Sequence, residues 1–417
     1  MTSSAYQQSL LVVLFLISMM SQIDRFLPFI LAESIKAELG LSDTQLGLVN
    51  GLAFAVCYSL MSLPLARVAD RGSPRMLLAG CLLVWSAMTA LGGLATSFLF
   101  LALSRFGVAL GEAGGAPAAH AIIARQVNPK RRGLAIGIFS MGIPVGTMIG
   151  FAVGGAIADS LGWRMALFGA GAIGALLVGL TLAAIRPTPP TPTMGVSAEG
   201  FFSASMRLLN ADGFRWLVIG AVAAGFAAAP FYAFGAPFLM RTYGYSASEV
   251  GLAFGLLQGL TGIAGTMIGG RLFDRAVRSG TGRVLGPPGV LFLAASATTA
   301  AALFAPAGWL SIVLLTPGML SFAFLLPWGF GAAHLVAGPG KEAMATSLIM
   351  IGSGLFGPAL GPVLVGLISD AATAAGAPNA LGLGLLIGPV ASGVAGVAIL
   401  IANHRIAAAR RASSAAE

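Results

Sequence analysis

Charged residues are scarce in this sequence. Lys, Arg, Asp and Glu make up 9% of the 417 residues, whereas 57% are hydrophobic and the mean hydropathy is +0.91. Average soluble proteins carry about 25% charged residues, because their surfaces face water. The shortage of charge therefore excludes an ordinary soluble domain and indicates a protein that crosses a membrane several times.

Residues suited to metal binding and nucleophilic catalysis are scarce as well. The sequence has two cysteines, Cys57 and Cys81, and three histidines, and none of them shows the spacing of a metal site. A phosphate-binding loop and a nucleophile motif are also missing. We therefore expect no metal, no cofactor and no enzymatic activity.

Long apolar runs fill most of the sequence. A helix needs about 20 apolar residues to cross a bilayer. Runs of this kind start near Ser9, Gln45, Met76, Phe98, Gly133, Arg164, Phe214, Glu249, Val284, Trp309, Met344 and Ala380. A proline-rich segment separates the first six from the last six.

These runs predict an all-α polytopic membrane protein with twelve transmembrane helices, arranged as two pseudo-symmetric six-helix bundles. The N-terminal bundle spans residues 1–186 and the C-terminal bundle spans 213–403. A cytoplasmic linker, 187–212, joins them, and a cytoplasmic tail, 404–417, follows. We number the predicted transmembrane helices 1 to 12.

Basic residues are distributed unevenly between the loops. Most of the 23 lysines and arginines fall after the even-numbered helices and in the tail, whereas the opposite loops hold only Lys36, Arg164 and Arg241. Cytoplasmic loops of membrane proteins are enriched in Lys and Arg. We therefore expect a multi-pass protein of the cell (inner) membrane with both termini in the cytoplasm. The net charge of +9 then reflects topology, and we expect no nucleic-acid partner.

The two halves repeat one charged motif. Helix 2 ends in ARVADR at residues 66–71, and helix 8 ends in GRLFDR at residues 270–275. The motif occupies the same place in each half, which indicates a duplicated six-helix unit. Duplicated transporter halves enclose a substrate path near the bilayer midplane and rock about it.

The stretch ARVADRGSPR at residues 66–75 resembles the loop signature of the major facilitator superfamily, G-x-x-x-D-R/K-x-G-R/K-R/K. The resemblance covers essentially the whole chain, and it implies that family's fold and its alternating-access transport. It also implies a gating latch that opens and re-forms as the halves rock. In that latch, an aspartate caps the next helix and pairs with arginines of a neighbouring loop. The latch residues are Asp70, Arg71, Arg75, Asp274 and Arg275.

Three other stretches are similar to the Spinster branch of this superfamily. They are IDRF at residues 23–26, SRFGVALGEAGGAPAAHAII at 104–123 and RRGLAIGIFSMGIPVG at 131–146. Members of the branch are implicated in moving lysophospholipids and phosphorylated sphingoid bases. The resemblance implies that Asp24, Arg25, Arg105 and Glu112 correspond to the charged group thought to couple protons to transport.

The same four residues stand out without any family argument, because they are the charged residues predicted at membrane depth. Asp24 and Arg25 lie at a depth on helix 1 similar to that of Arg105 on helix 4, so these helices can meet there. Glu112 is seven residues after Arg105 and therefore lies deeper on the same face. Ionisable residues inside a membrane usually mark a transport path. The alternative is a static network that fixes helix 1 against helix 4.

We expect Asp24 to pair with Arg105, and Arg25 to face either Glu112 or an anionic substrate. Both carboxylates are proton-coupling residues in this interpretation, and Glu112 is the better proton carrier because it lies deeper with fewer neighbours. Arginine stays charged under all relevant conditions, so Arg25 and Arg105 can hold a phosphate or carboxylate. Helix 4 should bend just after Glu112, where Gly114, Gly115 and Pro117 follow.

These observations predict a proton-coupled secondary active transporter, a symporter or an antiporter. We expect its substrate to be an amphipathic anionic or zwitterionic lipid, such as a lysophospholipid or a sphingoid phosphate. Tyr232 on helix 7 is the aromatic residue that we expect to contact it. The alternatives are a carrier of a small sugar, organic anion or drug, and a channel or scramblase. The expected partners are the substrate, protons and membrane lipids, and we expect a monomer.

Overall fold

The computed structural model describes residues 4–188, 205–206, 208–210, 213–279, 284–337 and 342–414. Over these residues all regular structure is helical. Most of the predicted linker, 187–212, lies outside the described residues.

Six membrane-spanning helices precede the linker. They are helix 1 (Ser4–Ile30), helix 2 (Asp43–Arg71), helix 3 (Pro74–Gly92), helix 4 (Phe98–Gln126), helix 5 (Arg132–Leu161) and helix 6 (Trp163–Ala184). A short helix, Ala32–Leu39, lies between helices 1 and 2. Helix 2 contains a π-helical turn, Leu48–Leu52, and helix 4 is interrupted after Glu112.

Six more helices follow the linker. They are helix 7 (Phe214–Tyr243), helix 8 (Ala247–Arg278), helix 9 (Gly286–Ala302), helix 10 (Gly308–Ala337), helix 11 (Glu342–Ile351, the π-helical turn Gly352–Phe356 and Gly357–Ala374) and helix 12 (Ala380–Leu385 and Ile387–Ser414). Within the described ranges, 10 of the twelve are long and apolar enough to cross a membrane. The other two are helix 9, with 17 residues, and helix 10, whose described apolar part is Gly308–Phe324. This arrangement agrees with the twelve predicted helices.

The chain forms two compact units. Unit 1 contains residues 1–195 together with 239–259, and unit 2 contains residues 196–238 and 260–417. In unit 1, helix 1 packs along helix 5, while helix 3 packs against helices 4 and 6. In unit 2, helix 9 packs between helices 10 and 12.

Glycines on helix 5 allow it to lie unusually close to helix 1. A Cβ atom at Gly142 would meet Ser18 and the backbone nitrogen of Met19, and a Cβ atom at Gly146 would overlap the carbonyl oxygen of Met19. Small residues at a helix interface let two backbones approach in the membrane. This contact fixes helix 1, and therefore the charged residues that it carries, against the rest of unit 1.

We expect Gly146→Val to lower the yield and the apparent melting temperature of the purified protein, because the added side chain must push helix 1 away. Overpacking of this kind costs about 1–3 kcal/mol or more. Gly137→Val is the matched control on the same helix, since a Cβ atom at Gly137 meets nothing within 4 Å. Thermal unfolding in detergent measures both. Equal stability of the two variants would contradict the close approach.

Candidate functional site

Helix 1 carries adjacent charges in the middle of unit 1. Asp24 is 0% exposed, whereas the side chain of Arg25 is 28% exposed. Successive residues on an α-helix point about 100° apart, because one turn takes 3.6 residues. The two side chains therefore face different neighbours, which are described in turn.

Arg25 forms an ion pair with Glu112 of helix 4. Its Nη2 lies 2.7 Å and its Nε 3.2 Å from Oε2 of Glu112, and the Glu112 side chain is fully buried. The guanidinium carbon of Arg25 lies 5.0 Å from the ring centroid of Phe54 and 4.8 Å from that of Tyr58, both on helix 2. Of the two partners that the sequence left open for Arg25, the structure shows Glu112.

The Phe54 ring also contacts the second arginine. The guanidinium carbon of Arg105 lies 5.1 Å from its centroid. Arginine cations are attracted to the faces of aromatic rings, and more strongly so where water is excluded. Phe54 therefore stabilises both guanidinium groups, a role that sequence reasoning missed because helix 2 has no charge near this position.

The predicted ion pair between Asp24 and Arg105 is not formed. Arg105 donates from Nη1 to the main-chain carbonyl oxygen of Asp24 at 3.1 Å, and neither carboxylate oxygen of Asp24 has a hydrogen-bond partner among the described residues. Helical depth brought the two residues together as expected, but a main-chain acceptor competes with the carboxylate for the guanidinium.

Thr89 and Trp85, both on helix 3, carry a hydroxyl and an indole N–H that are buried in unit 1. Neither group meets hydrogen-bonding geometry with a described residue. Sequence analysis did not single out either residue, since both read as ordinary parts of an apolar helix.

Helix 4 is broken beside Glu112, as predicted. Its first segment, Phe98–Glu112, ends there, and the second segment runs from Gly115 to Gln126. Pro117 explains the break, because it has no N–H to donate and its ring crowds the carbonyl group of Ala113. Glu112 consequently lies at the end of a helical segment rather than within a continuous one.

The proposed latch residues at the end of helix 2 are held differently from the expectation. Ser73, rather than Asp70, caps helix 3, because its hydroxyl accepts from the main-chain N–H of Met76 and Pro74 follows at the first helical position. Arg125 of helix 4 donates to the main-chain carbonyls of Ala69, Asp70 and Gly72.

The other latch residues are placed as follows. Arg75 donates to the carbonyl of Leu182 on helix 6, and Arg71 is exposed. Asp274 and Arg275 of unit 2 are both exposed. Tyr232, also in unit 2, lies against Phe322 with ring centroids 6.3 Å apart.

A second charged cluster, which sequence reasoning missed, lies at the end of helix 7 that is predicted to face outward. Arg241 belongs to unit 1 and contacts Glu33 at 2.6 Å and Asp43 at 2.7 Å. Lys36 contacts the same buried Asp43 at 2.5 Å. The sequence indicated only which side of the membrane Arg241 faces, since its two acidic partners are about 200 residues away.

Comparison with known proteins decides the family. The model of the Major Facilitator Superfamily matches residues 12–362 of this chain. The chain belongs to the major facilitator superfamily. It is therefore a multi-pass membrane transporter rather than an enzyme.

Individual relatives assign this major facilitator protein to the Spinster branch. An MFS-type efflux pump of Mycolicibacterium smegmatis is 36% identical over 385 residues, covering 90% of this chain and 87% of that protein. Protein spinster homolog 1 of Xenopus tropicalis is 25% identical over 416 residues, covering 91% and 77%. A solved structure of a bacterial homologue of the human lysosomal transporter Spinster, inward-facing and unoccupied, is 29% identical. It has a TM-score of 0.82 and covers 98% of both chains.

We expect single removal of either member of the Arg25–Glu112 pair to be more damaging than removal of both. Arg25→Leu or Glu112→Leu leaves an uncompensated charge inside the membrane, which costs about 3–5 kcal/mol for a buried pair, whereas the double variant leaves none. A double-mutant cycle on apparent melting temperatures measures the coupling. Additive losses in the double variant would show that the two side chains do not stabilise one another.

Proposed function

We propose that this protein is a proton-coupled secondary transporter of the inner membrane, with cytoplasmic termini, that carries an amphipathic anionic or zwitterionic substrate. The observation that supports it best is the different state of the two buried carboxylates. Glu112 is paired with a partly exposed arginine, while Asp24 is fully buried and has no hydrogen-bond partner among the described residues. Together with Arg25 and Arg105 they balance in formal charge, which makes burial tolerable.

In the coupling step, Glu112 and the anionic headgroup of the substrate compete for Arg25. While Glu112 is ionised, it holds the guanidinium; a proton on Glu112 removes that attraction and leaves Arg25 able to bind an anionic headgroup. Arg25 suits this role because its side chain is partly exposed, whereas that of Glu112 is fully buried. Guanidinium groups bind phosphate and carboxylate bidentately. Substrate and carboxylate thus exclude each other on one cation.

The substrate class follows from the same neighbours. Phe54 and Tyr58 beside Arg25 supply apolar surface next to the cation. A charged group next to aromatic surface suits an amphiphile such as a lysophospholipid or a sphingoid phosphate. The Mycolicibacterium smegmatis efflux pump supports a second candidate, the export of a drug-like amphiphile.

A ligand-stabilisation screen tests the substrate class. We expect lysophosphatidylcholine or sphingosine 1-phosphate to raise the apparent melting temperature more than glucuronate or ethidium does. A ligand at 100 times its dissociation constant contributes about 2.7 kcal/mol. Arg25→Gln should abolish the effect, while Arg271→Gln should retain it, because Arg271 is an exposed arginine of unit 2. Stabilisation by ethidium alone would favour the efflux candidate, and stabilisation by glucuronate alone would exclude both amphiphile classes.

Proton coupling is tested by transport of the stabilising ligand into proteoliposomes across a range of pH values. We expect Asp24→Asn and Glu112→Gln to lose the pH dependence, because neither replacement can bind a proton in that range. Glu249→Gln is the control, since Glu249 caps helix 8 by accepting from the Ser246 N–H and an amide oxygen can do the same. If both site variants keep the pH profile of the parent protein, the coupling role is wrong.

A further inference from the structure

Two aromatic side chains of helix 2 lie against the arginines of the charged site. Phe54 and Tyr58 are four residues apart and therefore lie on one face of the helix. Their rings are stacked, with 5.8 Å between the centroids and 17° between the planes. Phe54 is 8% exposed and Tyr58 is half-buried. We call this pair of rings the aromatic platform.

The platform contacts the two arginines unequally. The guanidinium carbon of Arg25 lies 5.0 Å from the Phe54 centroid and 4.8 Å from the Tyr58 centroid. The guanidinium carbon of Arg105 lies 5.1 Å from the Phe54 centroid. Within the described part of the chain, Tyr58 contacts the guanidinium of Arg25 alone. Arg25 is thus held by two rings, and it shares one of them with Arg105.

Arg25 has two kinds of partner that respond differently to a proton. The carboxylate of Glu112 attracts the guanidinium strongly only while it is ionised. The faces of Phe54 and Tyr58 attract a cation through the quadrupole of the ring, and protonation of Glu112 leaves that quadrupole unchanged. The rings therefore remain partners of Arg25 after the carboxylate has been neutralised.

The main chain just before the platform is irregular. The π-helical turn Leu48–Leu52 ends one residue before the α-helical segment continues from Ala53 toward Phe54 and Tyr58. A π-helical turn widens the hydrogen-bond pattern and changes the facing of the residues that follow it, and such turns are frequent at functional sites. The projection of both rings toward the arginines depends on this turn.

We propose that Phe54 and Tyr58 are positioning residues that keep Arg25 in its substrate-binding position while Glu112 is protonated. A guanidinium released inside a membrane protein would otherwise have to be ordered again when the substrate arrives, at a cost in affinity. Aromatic rings attract the cation but have no lone pairs that occupy its N–H donors as a carboxylate does. This inference rests on the proposed function, in which Arg25 passes from Glu112 to the substrate.

Fluorinated phenylalanines test the platform with little change in the shape of a side chain. Fluorine withdraws electron density from the ring face and weakens its attraction for a cation. We expect trifluorinated phenylalanine, relative to phenylalanine, to lower the apparent melting temperature of the full-length protein by roughly 1–4 °C at position 54 or 58. Tyr58→Phe is the reference for position 58, because its ring has no hydroxyl that fluorine could acidify.

Two background variants separate the contacts. In Glu112→Gln, which mimics the protonated carboxyl group, the losses at positions 54 and 58 should both persist. In the double variant Arg25→Leu/Glu112→Leu, the loss should vanish at position 58 but only shrink at position 54, because Arg105 still contacts the Phe54 ring. Each comparison is a double-mutant cycle, so effects of fluorine that do not involve Arg25 cancel.

Phe151 of helix 5 is the matched control. It is a fully buried ring of unit 1, and its ring contacts among the described residues are with Phe26 and Phe254. Fluorination of Phe151 should change the melting temperature equally in all three backgrounds. If position 58 behaves as Phe151 does, or if its loss disappears in Glu112→Gln, the platform does not hold Arg25 and the proposal is wrong.

Binding of sphingosine 1-phosphate supplies a measurement that packing alone would not move. Trifluorinated phenylalanine at position 58 should weaken binding about 2–30-fold relative to phenylalanine, the equivalent of one cation–π contact. Fluorination of Phe151 should leave binding unchanged. Unchanged or tighter binding with the fluorinated ring at position 58 would overturn the positioning role. If no form of the protein binds this lipid, the proposed substrate class fails, and the melting-temperature cycles decide whether the platform holds Arg25.

Discussion

Ionised side chains are costly in a membrane, and unit 1 is organised around that cost. An unpaired ion in a low-dielectric interior loses several kcal/mol of hydration, which only close partners can offset. Helix 1 supplies Asp24 and Arg25, helix 4 supplies Arg105 and Glu112, and helix 2 supplies the ring of Phe54 that both guanidinium groups contact. Three helices are thus held in position by the need to neutralise charge.

The four charged side chains differ in how well their charges are paired. Arg25 is satisfied by a carboxylate and two rings, whereas Arg105 directs a hydrogen bond to a main-chain carbonyl. The carboxylate oxygens of Asp24 have no hydrogen-bond partner among the described residues. A fully paired network would be rigid and chemically inert. Here Glu112 is paired with a cation, whereas Asp24 is buried without a hydrogen-bond partner among the described residues.

Hydropathy and charge patterning predicted the membrane-spanning helices and the break in helix 4, because each of these features follows from local sequence. Apolar runs of this length span a membrane, and Pro117 shortly after Gly114 and Gly115 favours a break in helix 4. Helical periodicity also predicted that helices 1 and 4 meet at the right depth. It could not predict that Arg105 prefers the carbonyl of Asp24 to its carboxylate, since both acceptors lie at the same depth.

Other partners were hidden for different reasons. Phe54 and Tyr58 follow a π-helical turn that alters the facing of helix 2, so simple periodicity does not show where their rings point. The acidic partners of Arg241 were hidden because they lie about 200 residues away in the sequence.

The break in helix 4 lies directly beside Glu112, one of the four buried charged residues. A continuous helix resists bending because each turn is tied to the next by main-chain hydrogen bonds. After Glu112 the regular pattern gives way to a long bond of 3.4 Å from the N–H of Gly114 to the carbonyl of Gly111. In the proposed coupling step, the change of charge at Glu112 takes place where the two segments of helix 4 join. The residue proposed to carry the proton thus ends one segment of helix 4, and the other segment runs on to Gln126.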